Sequence, residues 1–417
     1  MYSTAERTAH VLRRLSLGGH PDLLDMLRDP DEAIGLALDL SGPEKQLPEL
    51  EPPPDLEAAR VPGQIVDPIA WWVEAAARPD RLIEERLVWF WQDLFATSLR
   101  KVPVPYLMWQ QHLTIRRHAT DNFSDLLQAM AKDPAMLVYL DGIYNQAAAV
   151  NENFAREVME LHTMGPGNYS QSDVTEAARA FTGWMVRIPG GRTDAVVGDG
   201  QPWAAVFVPR RHDTTPKTIL GVAGEHDLDS AIDVILEQPV TRQHIARLLF
   251  EALVGLPPDA ATVAGMAGAF ADYDIMRLIG SIVEHPLFVS DEAVRTQVRT
   301  PFERLITLHQ SFGISTPLRR AVGVLAEQQF VPFAPPNPAG YPSGTSLLGP
   351  HAVVHGFDLI GLVSRTSVGD HDPDGLAHLR RLGIRDVSTE TRSTIAAART
   401  AGHQLALALN APEMMVS

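Results

Sequence analysis

The 417-residue chain contains no cysteine. That excludes disulfides, iron–sulfur clusters, thiolate zinc sites and cysteine nucleophiles together, and leaves His, Asp and Glu as the metal-ligating residue types. Long apolar runs are also missing. No segment approaches the ~18 uninterrupted apolar residues of a membrane-spanning helix. The amino terminus, charged at Arg7, Arg13, Arg14, Asp22 and Asp25, holds no apolar core of secretory type. Positive charge is scarce: 35 Lys and Arg against 51 Asp and Glu leave a net charge of −16. The chain therefore lacks the basic face that a general nucleic-acid or anionic-membrane binder needs. These absences predict a cytoplasmic protein with neither nucleic acid nor membrane as partner. The remaining composition, 45% hydrophobic and 21% charged, is ordinary for a globular protein and excludes wholesale disorder.

Helical periodicity dominates the first 185 residues. A short helical pair broken at Gly18-Gly19 is followed by a proline-rich run, Leu47 to Pro62, which reads as an extended surface connection. Asp67 to Leu99 is an amphipathic helical stretch, and further helices are expected at 104–117, 123–132, 135–140, 153–164 and 173–184. Around 185–222, Gly190-Gly191, Gly198 and Gly200 punctuate β-branched and aromatic runs, the pattern of a small hairpin. Helices resume at 229–237, 240–254, 259–269, 273–285 and 299–312. A second proline cluster, 332–350, forms an irregular loop before helices near 351–363 and 388–409. The fold class is mainly α: one large helical domain, 1–417, with a small β-hairpin insertion near 185–222.

Chemistry concentrates in three stretches. In the helix from Asn151 to Gly165, Phe154, Val158 and Leu161 share one apolar face, Glu157 and Glu160 fall together beside it, and His162 points away from both. Either this is a surface helix with Arg156 paired to Glu160 at i,i+4, or the two carboxylates share a proton or a cation. Di-metal four-helix sites use Glu-x-x-His, not the Glu-x-x-Glu found here, so no metal is expected. Downstream, Arg210-Arg211-His212-Asp213…Lys217 places a base, an acid and cations on a turn-rich loop suited to anion or acid–base work. His351 and His355 have the spacing of a helical metal pair but lack the glutamate of the zinc-protease motif. No cofactor-binding loop is recognised, and none is called for.

The asparagine-flanked helix, the run Asp173-Val174-Thr175-Glu176-Ala177-Ala178-Arg179-Ala180-Phe181-Thr182-Gly183-Trp184 and the run His212-Asp213…Lys217-Thr218-Ile219-Leu220-Gly221 resemble the bacterial DUF 1800 family. Supporting matches are Leu12-Arg13-Arg14-Leu15-Ser16-Leu17-Gly18, Asp133-Pro134-Ala135-Met136-Leu137, Pro335-Pro336-Asn337-Pro338-Ala339-Gly340-Tyr341 and Ala411-Pro412-Glu413. Two departures stand out. Family members commonly show Phe-Trp-His-Asn-His-Phe where this chain has Phe90-Trp91-Gln92-Asp93-Leu94-Phe95, so Gln92 and Leu94 take the histidine positions. Tyr341 replaces the usual tryptophan. Many relatives also carry an export signal, which is absent here and points to a divergent intracellular member.

The family's general activity is unassigned. The resemblance implies a partner, because relatives are frequently encoded beside DUF 1501 proteins, which resemble phosphatases and sulfatases. Some such pairs occur in natural-product pathways where sulfate loss closes an aziridine. The expectation is a subunit of a heteromeric biosynthetic enzyme acting on an anionic, activated small molecule or carrier-bound substrate. His212 with Asp213 would form the base, Glu157 and Glu160 would assist, and Arg156, Arg211, Lys217 and His162 would bind substrate. Two alternatives are a non-catalytic scaffold for that partner and a stand-alone metal-dependent hydrolase using Glu157, Glu160 and His212. The 151–165 helix and the 210–217 loop are expected to face one another across a polar cleft, with Trp71, Trp72 and Trp203 as candidate interface anchors.

Overall fold

A computed structural model describes residues 1–191 and 201–417, with the side chains of Pro62 and of 351–353 left aside. Gly198 and Gly200, and the His351 side chain, thus lie outside the described residues. The architecture is mainly α with two small two-stranded sheets. α1 (Thr4–Leu15) starts at Ser3, whose side chain accepts the Glu6 N–H. The expected stretch from Asp67 to Leu99 is two helices, α2 (Val66–Ala77) and α3 (Leu82–Leu94). Pro79 forces Arg78 into an extended conformation (ψ 146°), which ends α2. Then come α4 (Pro105–His118), α5 (Phe123–Ala131), α6 (Pro134–Tyr139), α7 (Asn153–Glu160) and α8 (Gln171–Ala180).

α7 stops four residues before its expected end. The His162 and Met164 N–H groups reach five residues back, to Glu157 and Met159, and Gly165 turns the chain at φ +78°. The β segment is two hairpin-like pairs rather than one. β1 (Trp184–Val186) pairs antiparallel with β2 (Ala205–Phe207), and β3 (Lys217–Ile219) pairs antiparallel with β4 (Val222–Gly224). Helices α9 (Leu228–Glu237), α10 (Pro239–Val254), α11 (Ala260–Ala269), α12 (Ile275–Val283) and α13 (Pro301–Phe312) follow as expected. α14 (Leu318–Glu327) was not anticipated, and the 388–409 stretch is two helices, Thr389–Ala396 and Ala401–Leu409. Among the described residues no helix is long and apolar enough to cross a membrane.

The buried apolar residues form one contiguous cluster. At its centre the Trp72 ring packs against Trp89, His112, Phe302 and Phe333, with centroids 4.5–5.7 Å apart. Beside it the buried Glu85 accepts from Lys45 Nζ at 2.8 Å, from both Arg116 amino groups at 2.8 Å and from Trp72 Nε1 at 3.0 Å. Two of the tryptophans offered as interface anchors, Trp71 and Trp203, serve another purpose, together with Trp109. Trp71, Trp109 and Trp203 donate their indole N–H groups to the carbonyls of Gln46, Pro48 and Pro53 at 2.8–3.1 Å. A proline-rich strand offers carbonyls without matching N–H groups, and the indoles pin it to the core. Trp72 and Trp203 are buried, at 0% and 2% exposure, so they present no surface to a partner.

Asp133 caps α6 through the Met136 N–H at 2.9 Å and is itself buried, which pushes its carboxyl up to about 7. Because the folded value lies above the ordinary 3.8, its stabilising effect is complete below pH 4 and is lost as pH rises through 7. Asparagine caps equally well. Asp133→Asn is therefore expected to be more stable than the parent at pH 8 by about 2–4 kcal/mol and to differ little at pH 4. Urea unfolding at the two pH values checks this; equal midpoints at pH 8 would refute it.

Candidate functional site

The loop 335–344 lies over three adjoining cavities. The largest, about 420 Å³, lies between α3, α10 and the start of α13, with Trp89, Phe90, Leu249, Thr300 and Tyr341 in its walls. A second, about 280 Å³, shares Phe90, Asp93 and Leu248 with it and adds Glu160, His244 and Pro338. A third, about 330 Å³, shares Pro338 with the second and extends to Arg100, Lys101 and Tyr139. One proline-rich loop thus borders all three chambers.

Asp93 stands at the junction of the first two. It occupies the last turn of α3, where the negative end of the helix dipole disfavours a carboxylate. Burial pushes its carboxyl up to about 6, opposed by the Tyr341 N–H that donates to Oδ1 at 2.8 Å. Among the described residues no cation pairs with it. The donor reaches Asp93 because Gly340 adopts φ +94°; a Cβ there would sit 2.9 Å from the Asp93 carboxyl carbon. Tyr341 is fixed in turn, its hydroxyl donating to the Val331 carbonyl at 2.9 Å and its ring packed on Phe330 and Trp89. The Tyr341 hydroxyl, which a tryptophan would lack, ties the loop to the segment before it.

Across the second chamber, Glu160 accepts the Tyr169 hydroxyl at 2.6 Å. Glu157, one turn earlier, is pushed up by burial and by neighbouring Glu160. His244 is lowered to about 4 by burial and by Arg247, which donates to Nδ1 at 3.1 Å, so it stands as a neutral imidazole. In the first chamber Arg86 is neutralised by Glu303 at 2.8 Å. Leu94, at one of the family's histidine positions, lines the second chamber, whereas Gln92, at the other, faces Gln111 and His112 in the core.

The residues chosen from sequence do not gather into one cleft. Arg156 pairs backward with Glu152 at 3.0 Å, and also bonds Gln171, rather than forming the expected pair with Glu160. His162 is fully buried against Phe95 and lowered to about 3 by that burial, so it is a neutral core residue and not a substrate ligand. Asp213 does not orient His212. It binds Arg179 Nε at 2.8 Å and the Thr215 N–H at 2.9 Å; these bonds outweigh burial and hold its carboxyl well below the usual range. The His212 Nδ1 instead meets the Thr182 carbonyl at 3.0 Å. Lys217 is buried with its ammonium on the carbonyls of Asp213 and Thr215, at 2.6 and 2.9 Å. Arg211 closes a 3₁₀ turn whose carbonyl accepts from Ala147. Of the counter-charges expected to face α7, Lys217 is thus committed to the loop's own backbone and His212 to the end of α8. Nor do Glu157, Glu160 and His212 form a metal set. Among the described residues the metal-ligating group with donor atoms within 4.8 Å is Glu327, His355 and Asp358, largely exposed on another face.

The conserved-looking runs thus act as a clamp. Arg179 bridges Glu176 and Asp213, Glu176 accepts the Thr218 N–H at 3.2 Å, and Asp173 accepts the Leu220 N–H at 2.8 Å, so α8 holds the β3–β4 pair by its edge. Arg179→Ala is expected to cost about 2 kcal/mol and to speed amide exchange selectively at Thr218 and Leu220. Unchanged exchange there would refute the clamp.

Sequence reasoning selected Glu160 but missed Asp93. The available signal was an acidic residue ending an aromatic-rich helix, between two positions at which relatives carry histidine, combined with the Pro335–Tyr341 run. No curated protein and no solved structure matches the chain. The model of one family does, over residues 10–416, nearly the whole length. The chain belongs to DUF1800, a family described as proteins of unknown function.

Proposed function

We propose that this chain is the ligand-binding, proton-handling subunit of a two-component cytoplasmic enzyme, with the chambers under the 335–344 loop as its substrate cavity. One observation supports this above the rest: Asp93, a largely buried carboxyl at about 6, sits without a cation where two cavities meet. A carboxyl poised near neutrality both takes and returns a proton at physiological pH. The partner is a phosphatase/sulfatase-like DUF 1501 protein, as the family resemblance implies.

Ring-closing loss of sulfate from an amine is a reaction class that such a group serves. The amine nitrogen attacks carbon, the carbon–oxygen bond breaks, sulfate departs with the electron pair, and the Asp93 carboxylate accepts the ammonium proton. The leaving anion needs a cation, and Arg86, already neutralised by Glu303, does not offer a free one. That cation has to come from outside the first two chambers.

A scaffold role is the second reading, supported by the way the charges of 152–179 and 213 pair within this chain. The test is a pull-down from the native host, followed by assays of each chain alone and of the reconstituted pair. Turnover by the pair but by neither chain alone is the expected result. Full turnover by the partner alone would leave the scaffold role, and turnover by this chain as a free monomer would refute the pairing.

A further inference from the structure

We infer that the third chamber, at Arg100, anchors an oxyanion group (phosphate, sulfate or carboxylate) on the molecule whose reacting end lies against Asp93. The inference rests on the reading of Asp93 as the acid–base group and adds a substrate class to it.

The chamber is rich in donors and poor in acceptors. Arg100 is exposed at its rim, and its guanidinium has no acceptor among the hydrogen bonds and ion pairs of the described residues. Ser98 is buried at 2% exposure; its oxygen receives the Arg100 N–H at 3.4 Å, while its hydroxyl proton is given to no described group. Asn337 uses its side-chain oxygen for the Ala339 N–H at 2.9 Å, which leaves its amide NH₂ without an acceptor. The other polar groups are engaged. Lys101 is paired with Asp141 at 2.9 Å and stands 5.8 Å over the Tyr139 ring, and the Asn153 amide donates to the Leu140 carbonyl at 3.1 Å. Since Asp141 cancels Lys101, the net charge of the chamber is that of Arg100. Two unfilled donor groups, Ser98 and Asn337, beside one planar cation match the acceptor oxygens of an oxyanion.

The chamber adjoins the cavity that Asp93 lines. Pro338 lines both it and the second cavity. Burial raises the hydroxyls of Tyr139 and Tyr341, a shift that the nearby Arg100 charge opposes at both, and Tyr341 is the residue whose N–H holds Asp93. The second cavity, beyond that end, is lined by the carboxyls of Asp93 and Glu160. Negative charge is therefore welcome at the Arg100 end and repelled along the rest of the groove, which selects a ligand with one anionic terminus.

The test is calorimetric titration of the full chain with inorganic sulfate, inorganic phosphate, phenyl phosphate and acetate, repeated on Arg100→Gln and Lys101→Gln, with amide chemical shifts recorded in parallel. Arg100→Gln is expected to weaken binding of the oxyanions about 10-fold or more, the loss typical of a charge-assisted contact. Lys101→Gln should matter less, and the shifts should centre on residues 98–101 and 337. Tighter binding of phenyl phosphate than of inorganic phosphate identifies an ester-borne group. Preference for acetate identifies a carboxylate. Equal binding by Arg100→Gln, shifts centred elsewhere, or no saturable binding of any probe overturns the anchor. The two proposals fail separately. Arg100-dependent binding with an Asp93→Asn variant that turns over normally sinks only the acid–base group; Asp93-dependent turnover of a substrate without an anionic group sinks only the anchor.

Discussion

Asp93→Asn is expected to lower turnover of the assembled enzyme by about 10²–10⁴-fold, the usual worth of a positioned acid–base group, while leaving the complex intact. Asparagine keeps an oxygen for the Tyr341 N–H, so the 335–344 loop keeps its anchor. What is lost is the ability to take a proton. The groups facing Asp93 do not replace it. Glu160 is bonded to Tyr169, His244 is neutral and held by Arg247, and Glu303 is paired with Arg86. In the parent, turnover should rise with pH as the carboxyl ionises, with an inflection near 6 that the variant lacks.

The same substitution has a second signature, a gain of stability that accompanies the loss of rate. The folded carboxyl lies above its ordinary 3.8, so the stability it contributes is complete below pH 4 and lost as pH rises through 6. At pH 8 the parent holds an unpaired, largely buried carboxylate, and Asp93→Asn should be more stable by about 1–3 kcal/mol. Loss of rate with gain of stability is what a group kept for function predicts. A variant that loses both has been misassigned.

Much of the fold was legible because its signals are local. Ser170 and Asp173 form the capping box that starts α8, and Asp133-Pro134 starts α6 with a cap and a first-turn proline. Helix ends were less legible where tertiary contacts set them. α7 stops short because Thr163 turns its hydroxyl onto the Val158 carbonyl and His162 seeks the core, which no wheel of residues 153–164 reveals. The site was half legible for a related reason. His212, Asp213 and Lys217 carry reactive side chains close together in sequence, yet their partners, Arg179 and the Thr182 carbonyl, come from α8 and its end. Asp93 carries no sequence-local clue to its burial, because its cavity is built from α3, α10 and a loop some 250 residues on, with Tyr341 at |i−j| = 248. Burial and pairing are tertiary properties, and they decide whether a charged residue is a clamp or a site.

Glu85→Gln is expected to cost about 3–5 kcal/mol, the range for removing one partner of a buried ion pair. Here one carboxylate satisfies three groups. Arg116 holds it with two parallel bonds, Lys45 approaches from the extended segment before α2, and Trp72 donates from the aromatic centre of the core. A glutamine retains one acceptor oxygen and turns an amide NH₂ toward a guanidinium or an ammonium, so at least one cation is left buried without its charge partner. Arg116, paired in a planar fork, has no way to become neutral. The pH dependence separates this from simple loss of packing. Burial, which would raise Glu85, is outweighed by Arg116 and Lys45, which hold it well below its ordinary 4.5. A lowered carboxylate contributes stability that is complete above pH 4.5 and is lost as pH falls through the folded value. The gap between parent and Glu85→Gln should accordingly be constant from pH 5 to 8 and narrow only under strong acid. Glu85→Leu offers a further discrimination: it removes the acceptor entirely, and should be at least as damaging as the glutamine while Lys45 and Arg116 remain. The triple replacement of Lys45, Glu85 and Arg116 by apolar residues should recover much of the loss, because it removes both stranded charges as well as the carboxylate. Unfolding midpoints of the single and triple variants decide the matter. A single variant within about 1 kcal/mol of the parent would mean that water reaches Glu85 and that the core around Trp72 is not sealed.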